Sequence, residues 1–307
     1  MNKSNISTLV ILILAAMFYG AYFVFSKYMI IQSIHPLSIA FSVAVVLSIY
    51  IVIGVLFNQK PIKELKVFNW FKSIPLLLAG IGVAGVSPIL LVYGQVTTSA
   101  TNSAFIFQLA PLFAGILGII FLKEKPRIYF WLSVLLIIWG LFWLTTRGGL
   151  TPPNVGDLLI LIIAFLFGAY NVIAQKFSTQ LSPLALSNLR MLLGNVLVMI
   201  VVGILLGKDA MVALIQFPVI TMLGALFVYS YVFATHIGIK KLGASNTTAL
   251  LTITALFSAS YAPFIGEILT PIQLLGGLIV IGGVVLLIQK GIAIQYKVPT
   301  KNVSSSK

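Results

Sequence analysis

The chain has 307 residues, 60% hydrophobic and only 8% charged, with 19 Lys and Arg against 5 Asp and Glu and no cysteine. Its mean hydropathy is +1.13; soluble domains are about a quarter charged, so these few charges cannot cover a water-soluble globule and the remaining surface must face lipid. The composition also excludes a disordered chain, a disulfide scaffold and a thiolate metal site.

A spanning helix takes roughly 20 apolar residues, so the length holds about ten spans and no separate soluble domain. Apolar runs bounded by charge, Pro or Gly predict helices over roughly 8–32, 36–57, 74–95, 98–121, 128–146, 156–175, 183–206, 212–236, 244–265 and 271–289. These runs are continuous rather than alternating, which rules out β-barrel strands. Lys3 followed by an apolar stretch has the look of a signal peptide, but the run is too long and its centre recurs later in the chain, so it reads as a retained helix.

With the N-terminus in the cytoplasm, fifteen basic residues fall on the cytoplasmic side, among them Lys60, Lys63, Lys66, Lys72, Lys176, Lys240 and Lys241. Only Lys27, Arg147 and Lys208 fall opposite, and Arg190 lies inside a span. This asymmetry places both termini in the cytoplasm. The basic residues are scattered over short loops rather than gathered in one stripe, so no nucleic-acid partner is expected. Residues 290–307 form a basic cytoplasmic tail suited to anionic lipid.

The chain repeats itself. Gly20-Ala21-Tyr22-Phe23-Val24 is matched by Gly168-Ala169-Tyr170-Asn171-Val172, and His35-Pro36-Leu37 by Ser182-Pro183-Leu184. A constant offset of 143 residues pairs Glu124 with Glu267, Ser133 with Gly276 and Gly140 with Gly283. Each half, 8–147 and 155–289, therefore holds five spans, and an odd number turns the second half over relative to the first. Glu124 then lies on the cytoplasmic side and Glu267 on the outer side. The fold class is an all-α integral membrane protein of ten transmembrane helices, built as two five-helix inverted-topology repeats. Such repeats are an architecture of alternating-access transporters, in which two pseudo-equivalent halves interconvert inward-open and outward-open states.

The sequence resembles the EamA-type transporters of the drug/metabolite transporter superfamily. The resemblance rests on Phe18-Tyr19-Gly20-Ala21 through Lys27, on Leu181-Ser182-Pro183 through Arg190, on Leu109-Ala110-Pro111 through Glu124, and on Leu274-Leu275-Gly276-Gly277 through Val284. It covers about residues 8–289. Tyr19 replaces the family's usual Trp, Val43 stands where the second half has Arg190, and Thr254 where the first half has Pro111. The resemblance implies a secondary transporter, an exporter in direction, that moves a small organic metabolite such as an amino acid or amine. It implies no cofactor.

Polar side chains within spans face a bundle interior or a wet cavity. Arg190 either attracts a substrate carboxylate or latches a gate, or it snorkels to the headgroups. Lys27 lines an outer vestibule or snorkels. Tyr19, Tyr22 and Ser26 share one side of the first span, and Tyr170, Asn171 and Gln175 occupy the related region of the sixth; both sets suit a pocket for small organic molecules. Thr101, Asn102 and Gln108 in the fourth span and Thr247 and Thr254 in the ninth either bond the cargo or join helices. Spans one, three, four, six, eight and nine are expected to line the path. Gly276 and Gly283 with Ser133 and Gly140 mark spans five and ten as scaffold or as a homodimer contact.

All five acidic residues lie in loops or at span ends, and His236, read as lying at the cytoplasmic end of the eighth span, is interfacial rather than a relay. Facilitated or exchange transport is therefore expected, and no residue in the spans supports proton coupling. An intramembrane enzyme is not expected, since no paired intramembrane Asp, Gly-x-Ser-Gly or His-Glu-x-x-His motif occurs. No metal site and no ring of charges for a channel is expected. The alternative is a lipid-handling or flippase-type component, which would present an apolar groove opening sideways to lipid.

Overall fold

The computed structural model describes residues 3–122, 128–146 and 154–286. Glu124, the basic segment 123–127, Arg147 and the tail 290–307 lie outside the described residues. Within them the chain is helical throughout, with no strand. The first matched half contributes α1 (Lys3–Ile31), α2 (Pro36–Phe57), the short α3 (Lys60–Lys66), α4 (Ile74–Ile81), α5 (Ser87–Thr97), α6 (Ala100–Phe107), α7 (Ala110–Leu122) and α8 (Ile128–Thr146). The second contributes α9 (Val155–Phe177), α10 (Pro183–Leu206), α11 (Val212–Gln216), α12 (Pro218–Leu242), α13 (Ala244–Leu250), α14 (Thr254–Tyr261) and α15 (Pro271–Leu286).

Eight helical runs are long and apolar enough to cross a membrane, and two shorter apolar helices, Ile128–Trp143 and Pro271–Gly283, complete the ten apolar segments. Large apolar side chains such as Phe57, Leu135, Trp139, Ile204 and Leu278 point outward, while Ser, Thr, Asn and Gln side chains are buried among the helices. That is the distribution of a multi-pass membrane protein, whose outer surface meets lipid.

Helix starts follow local chemistry. Asn154 and Asp157 form a reciprocal capping box at α9; Ser182 accepts from the Ala185 N–H ahead of Pro183 at the start of α10; and Gly243, at φ 83°, separates α12 from α13. Three membrane runs are interrupted within their length. Between α4 and α5 the chain makes a π-helical turn over Gly82–Val86. Pro88 has no N–H to give the Ala84 carbonyl, and the Ser87 N–H reaches back to Gly82 instead. Pro111 likewise cannot donate to Phe107, and α6 ends at Phe107 before α7 restarts at Ala110. The corresponding break, Leu251–Ile253, lies 143 residues after the first but contains no proline. There the Thr252 hydroxyl bonds the Ala249 carbonyl at 2.6 Å and competes with the helical ladder.

The matched Gly20 and Gly168 explain why their motif repeats. A Cβ on Gly20 would lie 2.9 Å from the Thr254 carbonyl oxygen on α14, and one on Gly168 would lie 2.8 Å from the Ala110 carbonyl oxygen on α7. Each half thus packs the centre of its first helix against the restarted helix of the other half. The small-residue faces of α8 and α15 meet in the same way: a Cβ on Gly140 would fall 2.6 Å from the Gly276 carbonyl oxygen, and one on Gly283 would fall 3.0 Å from that of Ser133. These faces are therefore occupied within the chain.

Gly168→Val forces two helices apart and should lower stability by about 1–3 kcal/mol. Gly54→Ala adds a Cβ into open space and should be neutral or stabilising by roughly 0.4–1 kcal/mol. Thermal unfolding of the detergent-solubilised protein checks the opposite signs.

Candidate functional site

A cavity of about 70 Å³ lies between the two matched halves. Its wall takes Tyr19 and Tyr22 from α1, Val43 and Leu47 from α2, Val83 and Ala84 from the π-helical turn, Ser87 and Leu91 from α5 and Phe107 from α6. The second half supplies Ile160 and Ile163 from α9, Arg190 and Asn195 from α10, and Tyr231 from α12. The ninth run, expected to line the path, contributes nothing to this wall; α2 and α10 do.

Close backbone contact sets the position of Arg190. Gly194, one turn after it, touches the π-helical turn so closely that a Cβ would fall 2.4 Å from that of Ala84. Gly80 lies against the Arg190 backbone in the same crossing. Arg190 is eight residues into α10, about 10 Å from the helix start at 1.5 Å per residue, and is 5% exposed. Its guanidinium carbon sits 4.7 Å from the Tyr170 ring centre and 5.1 Å from that of Phe167. Nε and Nη1 are buried with no hydrogen-bond partner, and no Asp or Glu lines the cavity. The snorkelling alternative does not hold for this side chain.

The stabilisation of this charge is incomplete. A cation–π contact contributes about 0.5–2 kcal/mol, whereas removing an ion from water costs several kcal/mol even after relaxation. Two rings do not close that gap, and the charge at this wall favours an anion.

The aromatic shell continues from there. Tyr19 stacks on Tyr231 with ring centres 4.0 Å apart and planes 13° apart, and Tyr19 also meets Tyr22, Phe23 and Phe107. Behind Tyr170 lies His236, which is fully buried rather than interfacial. Its Nδ1 is 2.8 Å from the Val232 carbonyl and 2.9 Å from the Ser187 hydroxyl, and its Nε2 is 2.9 Å from the Tyr170 hydroxyl. A carbonyl can only accept, so the proton resides on Nδ1, and the Tyr170 O–H donates to Nε2. Ser187 gives its own proton to the Pro183 carbonyl. The ring is thus spent on three helices and holds Tyr170 beneath Arg190.

The sequence-predicted residues divide into distinct groups. Tyr19, Tyr22 and Arg190 form the cavity wall, with Tyr170 directly behind it. Ser26 instead donates to Gln95 Oε1 at 2.7 Å. Thr101, at the start of α6, is held by Glu267, which accepts from the backbone N–H groups of Ala100 and Thr101 and from the Thr101 hydroxyl. Gln175 accepts from the Ala244 N–H at 2.6 Å and so caps α13. Thr247 and Gln108 bond carbonyls of their own helical runs. Asn171 is fully buried with both amide atoms unpartnered, and Asn102 Oδ1 and the Thr254 hydroxyl also lack hydrogen-bond partners. Tyr231, Asn195 and His236 are absent from the predicted set.

Lys27 does not snorkel. Its ammonium bonds the carbonyls of Gln95 at 2.6 Å and Thr98 at 3.0 Å, where α5 ends, and so meets the negative end of a helix dipole. The Thr98 hydroxyl in turn donates to Asp157 at 2.6 Å. At the opposite end of the bundle Glu64 accepts from the Ser182 N–H at 2.7 Å.

A second, apolar recess of about 460 Å³ lies on the outside between α1, α12 and the segment from Tyr261 to Ile265. Phe18, Phe25, Phe227 and Phe264 line it, and it holds no charged side chain.

Tyr170→Phe keeps the ring under Arg190 but strips His236 Nε2 of its donor; loss of about 1–3 kcal/mol is expected for a buried group left unpaired. Tyr170→Leu, which also removes the ring, should cost more. Unchanged thermal unfolding of Tyr170→Phe would show that the hydrogen bond contributes nothing net.

Comparison with known proteins gives the family of the chain. An uncharacterized transporter of Methanothermobacter thermautotrophicus is 24% identical over 299 residues, covering 91% of this chain and 85% of that one. Two uncharacterized transporters of Bacillus subtilis are also similar: YyaM, 26% identical over 68% of this chain and 70% of its own length, and YdfC, 30% identical over 64% and 65%. A solved crystal structure shares the fold with a TM-score of 0.64 at 17% identity, covering 91% of this chain and 96% of that one. Residues 6–146 and 154–289 each match the EamA-like transporter family. The chain therefore belongs to that family.

Proposed function

We propose that this chain is a secondary transporter of the cytoplasmic membrane that carries a small organic metabolite by alternating access. In this reading its ten apolar helices are two five-helix repeats inserted in opposite orientations, both termini are cytoplasmic, and the direction is export, as the family resemblance implies. One observation carries the reading: a cavity holding a buried Arg190 lies between the two family-matched halves and draws its wall from both. A site at the seam of two repeats is where a rocking motion exposes cargo first to one side and then to the other.

Further support comes from the ends. Each carries a carboxylate that accepts from backbone N–H across elements, Glu267 on α6 at one end and Glu64 at the start of α10 at the other. Such contacts can open and close without moving a charge through the core. Tyr19, Tyr22, Arg190, Tyr231 and Asn195 are the proposed cargo contacts, with Tyr170 positioning Arg190. A homodimer through α8 and α15 would use their outward apolar faces, such as Trp131 and Leu135, because their small-residue faces already meet.

The lateral recess favours a second reading, a lipid-handling component. Its lining offers nothing for a headgroup beyond the hydroxyls of Tyr28 and Tyr261, and Arg190 lies in the other cavity. The metabolite reading therefore accounts for more of the buried polar chemistry.

The chain has no cysteine, so Ser87→Cys introduces a single thiol in the cavity wall. An impermeant maleimide should modify it from either face of the membrane, in right-side-out and inverted vesicles alike. Labelling from one face only, whatever cargo is present, would contradict alternating access. Lipid scrambling by the reconstituted protein without counterflow of any metabolite would favour the lipid reading.

A further inference from the structure

The cavity has a charge character that narrows its cargo beyond a small metabolite. We propose that the cargo is an organic anion, a carboxylate on an apolar body with no ammonium group, and not an amine or a zwitterionic amino acid. This rests on the transporter reading above for its context, but the anion site itself stands on the cavity's own geometry.

The first observation is the unsatisfied cation. Arg190, a residue of the cavity wall that is 5% exposed, holds Nε and Nη1 buried with no acceptor. A carboxylate is the planar group that matches this fork with two hydrogen bonds. The second observation is the lack of any compensating anion. No Asp or Glu lines the cavity, and three described carboxylates are committed elsewhere: Glu64 to Ser182, Asp157 to Thr98 and Asn154, and Glu267 to Ala100 and Thr101.

The third observation concerns aromatic faces, which bind ammonium groups in many sites. Here one face each of Tyr170 and Phe167 is taken by the Arg190 guanidinium itself. Tyr19 and Tyr231 are stacked on each other at 4.0 Å. An ammonium on the carbon next to a bound carboxylate would sit close to Arg190, in an interior where charges interact strongly, with no carboxylate in the wall to offset the repulsion. His236 offers no free acceptor, because its ring is engaged by Tyr170, Ser187 and Val232. Much of the remaining wall, including Val43, Leu47, Val83, Leu91, Ile160 and Ile163, is aliphatic and suits an apolar body, with Ser87 and Asn195 as uncharged polar groups among it.

The test uses the purified full chain and four compounds that differ chiefly in charge: 3-phenylpropionate, phenylalanine, phenethylamine and hexanoate. Ligand-dependent thermal stabilisation reads binding. One or both of the simple carboxylates should stabilise the protein, with phenylalanine and phenethylamine weaker by roughly tenfold or more in half-maximal concentration. The shift should vanish in Arg190→Gln and persist in part in Arg190→Lys, which keeps the charge and guards against a folding defect. Stabilisation by phenylalanine or phenethylamine equal to that by the carboxylates would overturn the proposal. So would the absence of any shift with either carboxylate, or a shift that survives in Arg190→Gln. Counterflow in proteoliposomes separates the two readings: uptake of amines or amino acids in place of carboxylates would sink the anion proposal and leave the transporter standing. Carboxylate stabilisation without counterflow of any compound would retain the anion site and count against transport.

Discussion

A guanidinium sits inside an apolar helical bundle with two of its nitrogens unsatisfied, and much of the surrounding structure is arranged about that charge. Arg190 needs a helix that comes close enough to its neighbours to exclude lipid. Gly194, Gly80 and the π-helical turn before Pro88 supply that closeness. The charge also needs rings to lie against, and Tyr170 is fixed beneath it by His236, itself held by Ser187 and Val232. Removing any member of this chain of contacts affects the next. What the protein does not provide at the cavity wall is an anion. In an apolar interior that omission is expensive, and it makes sense if the missing partner arrives from solution.

The same bundle divides its polar groups between a centre and two ends. Proline at 88 and 111 and the Thr252 hydroxyl interrupt the helical ladders near the middle of the membrane runs. Irregular backbone at that depth is tolerated where protein or a cavity covers it. At the ends, the short connections are tied by Lys27, Thr98, Asp157 and Glu267 on one side and by Glu64 and Gln175 on the other. These ties are hydrogen bonds between elements rather than packed apolar cores, whereas the Gly20 and Gly168 crossings are close backbone contacts.

Much of the architecture was legible in the sequence, because it depends on apolar run length and on small residues at fixed spacing. The ten apolar segments and the recurrence of the motif around Gly20 and Gly168 follow from those signals, while the close crossings of these glycines show only in three dimensions. Arg190 and the tyrosines were legible as polar groups inside spans. Other site features depend on depth and on partners distant in the chain. His236 lies only six residues from the end of α12, which makes it look interfacial, yet α9 and α10 enclose it. Ser26, Thr101 and Gln175 have the polarity of cargo contacts, but their partners are Gln95, Glu267 and the Ala244 N–H, and no spacing rule pairs them. Val43 and Leu47 carry no chemical label, so their place in the cavity wall becomes visible only in three dimensions.

The central claim is that the cavity holds one uncompensated positive charge and that the cargo brings the negative one. Current recorded from proteoliposomes on a solid support tests it most directly. A carboxylate gradient should drive a transient current that carries net negative charge down the gradient, insensitive to a protonophore. Electroneutral uptake of the carboxylate into vesicles that hold no exchangeable anion, or a current carrying net positive charge with the cargo, would contradict the account.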